Sequence, residues 1–266
     1  MVNLSSSGFY ILILYVFLCG TWGCGIMHHG QHNTERITVD ETGAIVRMDS
    51  TQPYIYLIFS GHDHNEGRMH VLQTLTNLHI KASFFFTGEF YRNEENRSFI
   101  EALLHHGHYL GAHSDQHLLY VDWKHRDSTL VSRDSFFTDL LANYQVMESR
   151  FGITKDAAPY YLPSYEWYNR EIVNWTTEMG FQLINLTPGP GTARDYTWPQ
   201  MGPRYVPSQT IIDDLFRWEE GNSLNGVILL IHLGTDPRRH DKLYLQLEEI
   251  LLRLQEKGYQ YQIFKP

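Results

Sequence analysis

His113 and His117 stand four residues apart in Gly111-Ala112-His113-Ser114-Asp115-Gln116-His117, behind the apolar pair Tyr109-Leu110. Two imidazoles at i and i+4 share a face if the segment coils into a helical turn, so both ring nitrogens reach one cation. That makes half of a metal site. The chain holds 15 histidines, so the same spacing also arises on solvated surfaces, and the pair has to be judged by its company. Other polar residues stand out along the chain: Asp63 with Glu66 nearby, Tyr165 and Glu166 followed by Trp167, then Asp195 and His232.

Those residues need elements to carry them. The apolar run at 54–59, bounded by Pro53 and Ser60-Gly61, reads as a buried strand. Further strands are expected at 82–87, 108–112, 158–162, 181–186, 227–233 and 259–264. Between them, helical spacing marks 68–78, 98–106, a long helix capped by Ser135 and running to Phe151, 170–179 closed by Gly180, a helix capped by Ser208, and 241–257. Residues 187–207 are rich in Pro and Gly and read as a long loop, and 37–48 as a short hairpin around Thr42-Gly43. Strand and helix alternate about seven times, which predicts an α/β fold with a parallel sheet, most simply a distorted (β/α) barrel of about seven parallel strands. Asp63, His113, His117, Tyr165, Glu166, Asp195 and His232 then fall at C-terminal strand ends, where parallel barrels place their active sites.

Composition narrows the function. With 266 residues, 42% of them hydrophobic, the chain is long enough for one large domain with a buried core. A net charge of −9 without a basic block excludes a phosphate-backbone binder, so nucleic acid is not an expected partner. Both cysteines, Cys19 and Cys24, precede the body of the chain, so a metal would be held there by nitrogen and oxygen. The unbroken apolar run at 9–18, followed by Gly20, Gly23 and Gly25, has the length of a signal-peptide core and is short for a membrane span. Thr21-Trp22-Gly23-Cys24 resembles a lipobox. Export is expected, to the periplasm, to the surface as a lipoprotein or as a secreted protein, with membrane contact only through an N-terminal anchor. Residues 1–24 are read as a signal peptide or lipoprotein signal, 25–50 as an N-terminal tether with the hairpin, and 51–266 as the one large domain.

In its motifs the chain resembles the polysaccharide deacetylase family, the NodB-like carbohydrate esterases of family 4. The family's His-Ser/Thr motif with its second histidine is met by His113-Ser114-Asp115-Gln116-His117, its Ala-Thr-Phe-Phe strand by Ala82-Ser83-Phe84-Phe85, and its closing Leu-x-His by Leu230-Ile231-His232. Leu162-Pro163-Ser164-Tyr165 partly meets the third motif, with Leu162 in the place of its Arg. Where the family carries Thr-Phe-Asp-Asp-Gly, an ungapped match puts Ser60 and Gly61 on the paired carboxylates. The stretch Gly61-His62-Asp63 looks like a subgroup with Gly-His-Asp/Glu instead.

The resemblance implies a NodB-like barrel and a hydrolase that removes acetyl groups from a polysaccharide or oligosaccharide. It implies a divalent ion, zinc first, with cobalt or nickel as alternatives, held by His113, His117 and Asp63, with Glu66 as the alternative to Asp63. Water activated by the ion would attack the acetyl carbonyl, and His232 would act as general acid. The base is Asp63, Glu66 or the ion-bound water itself. Asp195 is a candidate partner for His232 and also reads as a turn-capping loop residue. Tyr165 and Trp167 are candidates for stacking on sugar. The competing class is a glycan-binding surface protein that keeps this fold without turnover, suggested by Ser60 and Gly61.

Overall fold

Asp40 starts the folded chain by making a turn. Its Oδ1 accepts hydrogen bonds from the backbone N–H groups of Thr42, Gly43 and Ala44 at 2.9–3.1 Å. Gly43 takes φ 100°, which a side chain would resist. The turn joins β1 (Thr38–Val39) to β2 (Ile45–Arg47) as an antiparallel hairpin. The computed structural model describes Met1 and residues 37–266, so the apolar run at 9–18, Cys19, Cys24 and the N-terminal histidines lie outside the described residues.

Seven parallel strands follow: β3 (Tyr54–Gly61), β4 (Ser83–Phe86), β5 (Tyr109–Ala112), β6 (Tyr160–Tyr161), β7 (Gln182–Leu183), β8 (Ile228–His232) and β9 (Gln260–Gln262). Their order is β7-β6-β5-β4-β3-β8, with β9 against the first residues of β3. Every pairing within the sheet is parallel. The connecting helices are α1 (Arg68–Asn77), α2 (Gly88–Arg92), α3 (Arg97–His105), α4 (Arg133–Phe151), α5 (Arg170–Glu178), α6 (Ser208–Gly221) and α7 (Leu247–Glu256). The α/β alternation expected from the sequence is therefore present, and the sheet curls into a half-barrel.

No strand pairing joins β7 to β8 among the described residues. The hairpin fills that opening: Ile45 bridges to Ile184 and Arg47 to Val227. Arg47 adds bonds to the carbonyls of Asn225 and Ser223 at 2.8 and 2.6 Å. β6 is short because Pro159 and Pro163, which lack an N–H to give the ladder, stand on either side of it.

β4 and β8 are nearly continuous apolar runs, as strands covered on both faces must be. Phe59 stacks on Phe84 at 5.1 Å, and Phe86 on Phe90 at 4.1 Å. Each such buried ring stabilises the fold by about 1.5–3 kcal/mol relative to exposure. Phe264 closes the far end of the sheet, meeting Tyr56, Phe85, Tyr109 and Tyr160 at 4.8–5.9 Å.

Three local expectations need correction. α4 is capped by Ser132, whose Oγ accepts from the N–H of Ser135, so the helix starts earlier than the pattern at Ser135 suggested. Ser208 is the first residue of α6, and its hydroxyl donates to the Asp241 carbonyl and caps nothing. The segment expected as one helix from Asp241 begins with a short tight turn (Leu243–Gln246) before α7.

Candidate active site

His113 leaves the end of β5 with its backbone N–H held twice, by the Phe86 carbonyl and by Asn143 Oδ1, each at 3.0 Å. The residues after it are not helical. Ser114 and His117 take φ 69° and 55°, so the two histidines converge through a strained loop and the helical turn read from their spacing is absent. Ser114 Oγ accepts from the His117 N–H at 3.0 Å and from Ser164 Oγ at 2.8 Å. Asp139 of α4 braces the same loop, accepting from the N–H of Asp115 at 3.0 Å, of Gln116 at 3.2 Å, and from the Tyr120 hydroxyl at 2.5 Å.

His113 Nδ1 lies 2.9 Å from the Leu162 carbonyl. A carbonyl only accepts, so Nδ1 carries the proton and Nε2 presents a lone pair. That Nε2 is 3.3 Å from His117 Nε2. Burial pushes both rings down, His113 to about 3 and His117 to about 2, so both are neutral near pH 7. His62 stacks on His117, with ring centroids 4.6 Å apart, and its Nδ1 is 3.2 Å from Thr87 Oγ1.

Glu166 comes to this pair from the turn after β6. Its Oε1 is 3.8 Å from His113 Nε2. Tyr165 and Glu166 both have left-handed backbones, φ 59° and 52°. For residues with side chains this conformation costs about 1–3 kcal/mol each and concentrates at functional sites. Burial raises the Glu166 carboxyl to about 7, against the pull of His232.

Asp195 and His232 form the other wall. The Asp195 carboxylate takes the His232 N–H at 3.0 Å and lies 2.5 Å from its Nδ1. Burial alone would lower His232. The Asp195 charge and hydrogen bond, helped by Glu166, outweigh it and hold the imidazole up at about 9.

His113, His117, Glu166 and His232 line one cleft of about 900 Å³ at the C-terminal end of the sheet, together with Ser60, His62, Asp63, Trp123, Tyr165, Tyr196, Trp198 and Arg204, while Asp195 is buried behind His232. Asp63 sits exposed on the rim, its Oδ1 accepting from the His64 N–H at 2.9 Å. Glu66 is not brought to the histidines. It binds Lys242 Nζ at 2.7 Å and the Thr235 N–H at 3.0 Å, pinning the turn after β8. Tyr165 lies against His117 at 4.2 Å and faces the cleft. Trp167 packs behind it, stacked on Trp123 at 5.8 Å, with its Nε1–H donating to the Asp122 carbonyl. Spacing along the sequence marks neither His62 as a neighbour of the pair nor Glu166 as the carboxylate beside it. Neither has a sequence signal beyond lying at a strand end.

The chain matches the polysaccharide deacetylase family over residues 47–184. It belongs to that family. The chain matches no curated protein. Among solved structures it is similar to PdaA of Bacillus subtilis, a family 4 carbohydrate esterase, at 19% identity and TM-score 0.64 over 84% of this chain and 83% of that one. A peptidoglycan N-acetylglucosamine deacetylase matches at 20% identity and TM-score 0.64, over 82% and 89%. A family 4 pseudoenzyme from Bacillus anthracis matches at 18% identity and TM-score 0.62, over 84% and 67%. At these identities the likeness establishes the shared fold.

Polysaccharide deacetylases are generally metal-dependent. The chemistry of the donor set suits a divalent ion: two neutral imidazole nitrogens aimed at each other and a carboxylate beside them. Among the described residues, no group of three or more His, Cys, Asp or Glu side chains is already gathered closely enough to hold one.

Proposed function

We propose that this member of the polysaccharide deacetylase family is an active metal-dependent hydrolase that removes acetyl groups from a glycan. The observation that carries the reading is one cleft with His113 and His117, their Nε2 atoms 3.3 Å apart, on one wall and His232, backed by the buried Asp195, on the other. A bound divalent ion, zinc or else cobalt or nickel, would lower the pKa of a water to about 7 and polarise the acetyl carbonyl. His113 and His117 supply its nitrogen ligands. Asp63 on the rim takes the proton of the attacking water, and the backbone N–H of Tyr165 donates to the developing oxyanion. Asp195 ties down Nδ1 of His232, leaving the Nε2 proton to pass to the departing sugar oxygen or nitrogen. Tyr165 and Trp123, exposed on the cleft, offer apolar faces to a sugar ring, with Trp167 supporting them from behind.

Ser60 and Gly61, in place of the paired carboxylates, support assignment to a subgroup with a Gly-His-Asp first motif. The apolar run at 9–18 supports export to the periplasm, the cell surface or the medium. The test is acetate release by the full chain from O-acetylated and N-acetylated glycans, after chelation and after return of zinc or cobalt. Release that stops with chelation and returns with metal supports the reading, and the responding glycan names the substrate class. No release from any substrate by folded, metal-loaded protein replaces it with a glycan-binding protein of the same fold.

A further inference from the structure

We infer that Glu166 is the third ligand of the metal centre, a carboxylate supplied from the turn after β6 in place of one from the end of β3. The inference rests on the reading of the cleft as a metal-dependent centre. At the end of β3 the chain offers Ser60 and Gly61, and a glycine has no side chain to donate. Asp63, two residues on, is exposed, and its carboxylate already accepts from the His64 N–H.

Glu166 is placed differently. Its side chain is 15% exposed and its Oε1 is 3.8 Å from His113 Nε2. Among the described residues its carboxylate accepts no hydrogen bond, although a buried carboxylate without a donor is costly. A cation at the two imidazoles would offset that cost. The left-handed backbone of Tyr165 and Glu166, with the Glu166 carbonyl held by Asn185 Nδ2 at 3.0 Å, keeps the side chain on this side of the turn.

The distances agree with a small tetrahedral ion. Ligand bonds of about 2.0–2.1 Å at tetrahedral angles set neighbouring donor atoms about 3.3 Å apart. His113 Nε2 and His117 Nε2 already stand 3.3 Å apart, while Glu166 Oε1 at 3.8 Å has about half an ångström to close. That gap is within the reach of rotation about the glutamate's own side-chain bonds, whereas Asp63 is exposed and bonded to the His64 N–H. His62 stacks on His117, and its Nδ1 is 3.2 Å from Thr87 Oγ1.

The test measures metal alone, without substrate. Zn2+ affinity by calorimetry and the visible spectrum of bound Co2+ are compared for the full chain, Glu166→Gln, Asp63→Asn and His113→Ala, with the melting of each metal-free protein as the folding control. Glu166→Gln is expected to weaken Zn2+ by more than about 100-fold, beyond the loss from removing a residue that only supports a ligand. It should also alter the Co2+ spectrum, while Asp63→Asn keeps both near the parent values. Parent-like affinity and spectrum in Glu166→Gln, or their loss in Asp63→Asn, overturn the inference. Zn2+ held through Glu166 without acetate release from any glycan leaves the inference standing and refutes the deacetylase reading. Acetate release lost in Glu166→Gln with Zn2+ retained does the reverse.

Discussion

Asp195 acts on His232 in two ways: it holds Nδ1 and takes the backbone N–H, and its charge keeps the imidazole protonated where burial would strip it. A raised pKa means the acid is charged below about 9 and is lost as pH rises through that value. The alkaline limb of kcat/KM is therefore expected near pH 9. Asp195→Asn removes the anion, burial then dominates, and the limb should move to lower pH in a pH–rate profile. His232→Ala is expected to keep its metal while turnover falls by about 100- to 10,000-fold, the range for loss of a positioned general acid. His113→Ala should lose metal and acetate release together, by metal analysis and activity assay, because its Nε2 faces the same point as that of His117.

The loop from His113 to Tyr120 carries the histidines yet has no regular structure of its own, so neighbouring elements fix its shape. α4 supplies Asp139 and Asn143, and α2 supplies Arg92, which grips the Asp115 carboxylate with two bonds of 2.8 Å. Asp115 fits there only because residue 88 is glycine, since a Cβ would lie 1.8 Å from its Oδ1. Asp139→Ala leaves two backbone N–H groups and the Tyr120 hydroxyl without their acceptor. It should lower stability by about 2–3 kcal/mol in a denaturant melt and weaken Zn2+ binding. None of this bracing was legible in the sequence. The pair at 113 and 117 stood out by spacing, but the spacing suggested a helical turn, and the convergence comes from a left-handed loop in which His113 and Asp115 are held by partners more than 20 residues away.

Phe264, which follows β9 beside the first residues of β3, is the plug of the half-barrel. Four aromatic residues from four strands meet it, so Phe264→Ala opens a cavity at their common centre. A loss of about 3–5 kcal/mol is expected, read as a lower denaturant midpoint at unchanged slope. The hairpin of β1 and β2 plays the complementary part along the side, bonded into the opening between β7 and β8. Among the described residues no helix is long and apolar enough to cross a membrane.

What the amino-acid order settled was local and periodic. Apolar runs of strand length alternating with helical spacing gave the α/β architecture, and strand-end positions picked out His113, His117, Tyr165 and His232, because both depend on neighbours along the chain. What the tertiary structure decided depends on approach across the sheet. Glu66 reads as a candidate by proximity to Asp63, but folding hands it to Lys242 and the Thr235 N–H, 169 or more residues away. Glu166 reads as one polar residue among several, but a left-handed turn and the end of β5 put it beside His113. Asp195 sits in a loop that could as well cap its own turn, and only its burial against β8 makes it the partner of His232.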